Sequence, residues 1–359
     1  MSENAALNLP RVLHQEPTGQ VRLVEFERIY ERVMTQHFGT RFRDYRQAWK
    51  LSSAFEYCPP FPLSLDLEIN ASCNLKCTMC VMGNPDYVNP LAHAPLMGQT
   101  LYIRLMDQAR QYGLPAMTFG FLSEPLLRPE LADMIVLARA SGIMDIRLGT
   151  NGALLSRKIS RALIGAGLTR LEISVDAANE TTYRRIRRGA ELSTIKANIL
   201  GFLEERDRAG SDLPLLRLSF LRLPENRNEE NDFLMEWADK ADLFSIQEPI
   251  YFEEAPISKT VRFVPSKIDD SFQCAQPWQR IIIRANGDVY PCCSLYGLEM
   301  KIGSACDSSI KALWDRSAMN NLRTLHREGR FRENSVCAHC AARSSLVVSG
   351  PRRKSREVH

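Results

Sequence analysis

Cys73-Asn-Leu-Lys-Cys77-Thr-Met-Cys80 places three thiols within eight residues. Soft thiolates select zinc, copper(I) or iron–sulfur clusters. A structural zinc site wants four closed ligands, and the next candidate, His93, lies across a Pro-rich loop. A redox pair needs only two cysteines. Three thiolates are one fewer than an iron–sulfur cube normally takes, so a cube held here keeps one iron open. Spacing favours that cluster and leaves the zinc and redox readings open.

A second set comprises Cys274, Cys292, Cys337 and Cys340. Between its first two members, Ile281–Arg284, Ala285-Asn286-Gly287-Asp288 and Val289-Tyr290 read as a hairpin closed by an Asn-Gly turn. The turn reverses the chain so that Cys292 can approach Cys274. Four thiolates saturate a cube or make tetrahedral zinc. Cys293 adjoins a candidate ligand, whereas Cys58 and Cys306 read as buried small hydrophobes.

Strands and helices must position these thiols. Leu63, Leu65, Leu67 and Ile69 alternate with Ser64, Asp66, Glu68 and Asn70, the period of a strand with one buried face. The first thiols therefore follow a strand end, where parallel α/β folds place their chemistry. Further strands are expected at Ala116–Gly120, Asp145–Gly149, Leu171–Asp176, Leu215–Leu221 and Leu243–Ile250, with helices near 99–112, 130–141, 156–166, 193–208 and 228–239. This alternation predicts a parallel α/β sheet, either a six-unit partial barrel or a doubly wound sheet. Residues 1–60 read as a helical extension with Phe26, Ile29, Tyr30, Val33 and Met34 on one face. Residues 61–255 form the core, 256–345 a smaller unit with a helix near 308–325, and 346–359 a basic, solvated tail.

Hydrophobic residues at 45% and charged residues at 25% are ordinary globular values. Without an apolar run of transmembrane length or a signal peptide, a cytoplasmic location is expected. In that compartment ten cysteines read better as metal ligands than as disulfides. The net charge of +4 comes mostly from Arg352, Arg353, Lys354 and Arg356 less Glu357, so no nucleic-acid or membrane partner is expected.

Cys73-x3-Cys77-x2-Cys80, with apolar Met79 before the last cysteine, resembles the signature of radical S-adenosylmethionine enzymes. The resemblance implies a partial (β/α)6 barrel with a small C-terminal α+β auxiliary iron–sulfur domain. It also implies a [4Fe–4S] cluster whose open iron chelates S-adenosylmethionine. Reductive cleavage then yields a 5′-deoxyadenosyl radical that abstracts a substrate hydrogen atom. Leu122-Ser123-Glu124-Pro125 resembles the family's Gly-Gly-Glu-Pro turn, with both glycines replaced, and implies Ser123 and Glu124 at the methionine amino group. By the same resemblance Thr150 and Asn151 face the ribose, Ser174 contacts the cofactor and Arg187 pairs with the methionine carboxylate.

Cys274-x12-Gly287-x4-Cys292, followed by Cys337-x2-Cys340, resembles the shortened twitch form of the family's SPASM domain. That form implies one auxiliary [4Fe–4S] cluster on these four cysteines, with Cys293 a candidate hydrogen donor as in some radical epimerases. Twitch enzymes of the inosamine dehydrogenase type suggest oxidation or epimerisation of a sugar or aminocyclitol, with a flavodoxin or ferredoxin as electron donor. Ribosomal-peptide maturation and a non-catalytic metal scaffold are the alternatives. Substrate contacts are expected from the loop 81–98, from Gln247, Glu248 and Tyr251, and from the C-terminal unit.

Overall fold

The computed structural model describes residues 12–15, 21–22, 26–93, 96–249, 253–259, 261–265, 272–344 and 346–351. After β1 (Val12–Gln15), β2 (Val21–Arg22) and α1 (Phe26–Ser53), the chain alternates strand and helix. The series runs β3 (Ser64–Leu67), α2 (Gln99–Tyr112), β4 (Ala116–Phe119), α3 (Leu131–Ala140), β5 (Asp145–Thr150), α4 (Arg157–Gly165) and β6 (Arg170–Ser174). It continues through α5 (Glu180–Ile186), α6 (Leu192–Arg208), β7 (Leu215–Leu221), α7 (Glu230–Trp237) and β8 (Leu243–Gln247).

Strands β3 to β8 lie side by side in chain order and all pair in parallel. A doubly wound sheet reverses its strand order at a switch point. No reversal occurs within this run, so the six strands form the partial barrel. Outward residues such as Leu67, Phe119, Leu148, Ile173 and Phe220 are fully buried against the helices. Each such side chain stabilises the fold by about 1.5–3 kcal/mol.

The C-terminal unit is built onto the same sheet. It comprises β9 (Val261–Pro265), α8 (Gln276–Gln279), β10 (Arg280–Ile283), β11 (Asp288–Tyr290), β12 (Gly303–Ser304), α9 (Ile310–Trp314), α10 (Ser317–Arg327), α11 (Ser335–Ser344) and β13 (Leu346–Pro351). β10 pairs in parallel with β3, and β11 and β12 continue the edge antiparallel. Gly287 closes the β10–β11 turn at φ 87°, a left-handed conformation that favours glycine.

Three expectations are corrected. β3 is buried on both faces, not one: Asp66 pairs with Arg280 at 2.9 Å and Glu68 with Arg284 at 2.6 Å. Internal ion pairs therefore cover the face that alternation assigns to water. The N-terminal extension is not purely helical, because β1 pairs in parallel with β8 and antiparallel with β2. The tail from 346 begins as a strand, β13 on β9; its basic residues from Arg352 onward lie outside the described residues.

Helix α1, broken at Gly39 where φ is 60°, closes the N-terminal end of the barrel. Its Tyr30, Val33, Met34, Phe42 and Tyr45 pack on Leu63, Ala116, Met144, Leu215 and Leu243, which sit at the starts of strands. Tyr30 also donates to the buried carboxylate of Asp145 at 2.5 Å, and Arg170 grips both oxygens of Asp145 at 2.7 Å.

Candidate active site

The loop bearing Cys73, Cys77 and Cys80 leaves the C-terminal end of β3 and is held by backbone bonds from three directions. Lys76 N–H donates to Arg188 O at 2.8 Å, Thr78 N–H to Ile186 O at 2.9 Å, and Glu124 N–H to Ser72 O at 2.9 Å. Gly83 lies so close beneath the loop that a Cβ there would sit 2.0 Å from the Cys77 carbonyl oxygen. Burial pushes the Cys77 thiol up to about 12, while the nearby Arg187 guanidinium pulls it back. Cys73 and Cys80 are raised by burial as well. A soft metal that displaces those protons removes the penalty of charging buried sulfur.

The other residues singled out in the core gather at the ends of β4, β5 and β6. Glu124 is 1% exposed and spends its carboxylate inside the protein. It accepts from Thr150 Oγ1 at 2.6 Å, from Asn151 N–H at 2.8 Å and from Leu126 N–H at 3.0 Å. Burial raises its pKa, and those three donors pull it down again. Asn151 Nδ2 donates to Asn74 Oδ1 at 2.9 Å, inside the cysteine loop. Glu124 thus locks the β5 end to the loop.

Arg187, expected to meet a carboxylate of the cofactor, is committed to Asp176. Its Nε and Nη2 lie 2.8 and 2.5 Å from Asp176 Oδ2. Ser174 accepts from Ser219 Oγ at 3.3 Å. Three buried polar atoms around the loop, Asn70 Oδ1, Thr78 Oγ1 and Ser123 Oγ, have no hydrogen-bond partner among the described residues. Buried polar atoms are rarely left so, and a polar group bound beside the loop would satisfy them. The donor chemistry therefore fits a thiolate-held cluster with a polar cofactor next to it.

The second thiol set lies at the other end of the same strands. Cys274 precedes α8 and the start of β10, and β10 begins level with β3, Arg280 opposite Ser64. Burial pushes Cys274 and Cys337 up to about 12 each, with neighbouring thiols adding to the rise. Cys292 is raised well above its ordinary value for the same reasons. Gly297 leaves room for this set, since a Cβ there would lie 2.4 Å from Cys292 Sγ. His326, which the sequence reading passed over, touches the set twice: its Nδ1 is 3.3 Å from Cys274 N and its Nε2 3.4 Å from Cys337 Sγ. Among the described residues, no three Cys, His, Asp or Glu side chains converge on a point that one metal ion would fill.

Between the two sets the barrel interior is polar. Glu172 meets Arg147 at 3.0 Å and Arg217 at 3.2 Å, and Gln247 donates to Ser245 at 2.8 Å. Cys293 is solvent-exposed, yet its thiol is raised by surrounding protein and feels Arg280, Asp66 and Arg147. The charges it feels are those of this interior, and its thiol donates to Gln276 Oε1 at 3.7 Å. Cys58 and Cys306 are exposed, not buried; the short loops bearing them run over the surface. Glu248 pairs with Arg222 at 2.7 Å, and Tyr251 lies outside the described residues.

No helix among the described residues is long and apolar enough to cross a membrane. Residues 67–206 match the Radical SAM superfamily, and residues 274–341 match SPASM, an iron–sulfur cluster-binding domain. A probable GTP 3′,8-cyclase of Methanococcus maripaludis is 31% identical over 136 residues, covering 38% of this chain and 44% of that protein. A GTP 3′,8-cyclase of Thermodesulfovibrio yellowstonii is 34% identical over 125 residues, covering 34% and 38%. The matches thus span less than half the length of these curated relatives. SuiB of Streptococcus suis, solved with its precursor peptide SuiA, superposes with a TM-score of 0.57 at 16% identity, covering 78% of this chain and 70% of that one. At that identity the likeness is one of fold. With both cysteine sets inside the matched segments, the chain belongs to the radical SAM enzymes and carries a SPASM domain.

Proposed function

We propose that the chain oxidises or epimerises a small polar metabolite of the sugar or aminocyclitol kind. The observation that carries this reading is the interior between the two thiol sets. It is lined by Arg147, Glu172, Arg217, Asp66 and Arg280 and reached by the exposed thiol of Cys293. Fixed charges and hydroxyls replace water around a substrate rich in hydroxyl or amino groups, and they fit an apolar one poorly.

When bound, the first cluster with S-adenosylmethionine would supply the hydrogen-abstracting radical, and a single auxiliary cluster on Cys274, Cys292, Cys337 and Cys340 would supply an electron acceptor. The chain's own part is to hold and orient. Ser123, Thr150, Asn151, Ser174 and Arg187 border the cofactor, with Glu124 as their anchor. The interior charges fix the substrate, and Cys293 is placed to return a hydrogen atom in an epimerisation. The enzyme then draws its electrons from a flavodoxin or ferredoxin. Deuterium carried from a labelled sugar or aminocyclitol into 5′-deoxyadenosine, under strict anaerobiosis, is the expected result. No transfer from any such substrate sinks the reading. If Cys293→Ala leaves abstraction intact while stopping product formation, the outcome is epimerisation; unchanged product points to oxidation.

Ribosomal-peptide maturation draws on one observation, the β1–β2 pair that extends the sheet beside β8. An added strand edge can receive an extended peptide. Tight binding of a leader peptide, lost when residues 1–25 are removed, would favour that reading over the first.

A further inference from the structure

We propose that His326 donates a hydrogen bond to the sulfur of Cys337 and thereby sets the reduction potential of the auxiliary cluster. The argument needs only geometry. His326, in the last turn of α10, is 2% exposed. The backbone N–H of Cys274 points at its Nδ1 from 3.3 Å. A peptide N–H can only donate, so Nδ1 is the acceptor and carries no proton. An imidazole always keeps at least one N–H, and here that hydrogen must be on Nε2. Nε2 faces Cys337 Sγ at 3.4 Å, so the bond runs from ring to sulfur.

The ring is held in that pose. Phe331 lies parallel to it, with an interplanar angle of 11° and centroids 6.2 Å apart, and Phe272 meets it edge-on at 6.4 Å. One side chain thereby ties together two thiol-bearing segments far apart in sequence. A donor aimed at a ligand sulfur offsets negative charge, which favours the reduced form of a cluster and moves its potential upward. Ser294 Oγ stands 3.4 Å from Cys340 Sγ. Once Cys340 is a thiolate it can only accept, so that hydroxyl adds a second, weaker donor.

This proposal rests on the reading that the four thiols hold an iron–sulfur cluster, and the test separates the two. The parent is the full chain carrying Cys73→Ala, Cys77→Ala and Cys80→Ala, reconstituted anaerobically, so that only the second site gives a signal. Iron and sulfide are counted, and the cluster is titrated electrochemically with paramagnetic resonance as the readout. In this background His326→Phe should lower the reduced-to-oxidised ratio about tenfold at a fixed solution potential, a shift of about 59 mV for a one-electron couple. His326→Gln, which keeps an N–H donor, should recover most of it. An unchanged potential in His326→Phe with full iron overturns the proposal. Loss of iron in both variants also overturns it, by making the ring a mere structural tie. A parent without iron overturns the cluster reading itself, and the proposal with it.

Discussion

Arg187 places Nε and Nη2 at 2.8 and 2.5 Å from a single oxygen of Asp176, and this pair clamps the chain after β6 onto the cysteine loop. Asp176 holds a left-handed backbone, φ 62°, which costs less at Asp than at most residues and is fixed here by the bonds around it. Its other oxygen accepts from Leu221 N–H at 2.7 Å, and its carbonyl accepts from Asn226 Nδ2 at 2.7 Å. The carbonyls of Ile186 and Arg188, on either side of Arg187, receive the loop's N–H groups. Asp176→Ala strands a buried guanidinium and should cost about 3–5 kcal/mol in denaturant unfolding of the metal-free protein. Adding Arg187→Met should recover part of that loss. A double variant no better than the single one would mean that the loop does not depend on the pair.

Glu124 predicts a pH signature. Burial raises its pKa in the folded state, so between the ordinary carboxylate value and the folded one the native chain binds more protons than the unfolded chain. Stability from this group is full below the ordinary value and is lost as pH rises through the folded value. Glu124→Gln should flatten that part of the stability profile. It should also cost about 1–3 kcal/mol, because one of the three N–H and O–H donors loses its acceptor. Unfolding midpoints of the metal-free protein across the mildly acidic range check both.

Two glycines should separate the two cysteine sets. Gly83→Ala drives a Cβ into the Cys77 carbonyl, 2.0 Å away, and Gly297→Ala drives one into Cys292 Sγ, 2.4 Å away. Each substitution should remove about four irons per chain. Gly83→Ala should also abolish cleavage of S-adenosylmethionine, which Gly297→Ala leaves in place. Equal loss of cleavage in both would show that the sites are not assembled independently.

The closure by α1 is open to a simpler test. Tyr30→Phe removes a buried hydrogen bond to the Asp145 carboxylate and should cost about 1.5–3 kcal/mol. Iron content should not change. A loss under 0.5 kcal/mol, of order the scatter for surface substitutions, would mean that α1 is not fastened through Asp145.

Much of the barrel was legible because its periodicity is strong. The helix expected near 99–112 is α2 at Gln99–Tyr112, and the strand at Leu215–Leu221 is β7 as observed. The even residues of Leu63–Asn70 misled, since a strand facing a charged barrel interior looks like one facing water. Only the distant partners, Arg280 and Arg284, reveal the difference. Arg187 was singled out by the family resemblance alone, since its run of neighbouring arginines reads as a solvated helix face. Its bond to Asp176 depends on a left-handed backbone at Asp176 that no local pattern announces. His326 gave no signal, because a lone histidine on a helix is usually packing, and its two contacts come from Cys274 and Cys337 in other segments. Cys58 and Cys306 were misplaced because residue type alone does not report whether a loop turns inward.

The seat of α1 has a consequence for synthesis of the chain. The helix ends at Ser53, but the apolar floor it covers is finished only when Leu243 at the start of β8 has been made. At ordinary ribosomal rates that interval is roughly 10–40 s. Throughout it an amphipathic helix waits with its apolar floor incomplete, exposed to chaperones or to other apolar segments. Slowing translation after β7 should therefore lower soluble yield more than slowing it after β8.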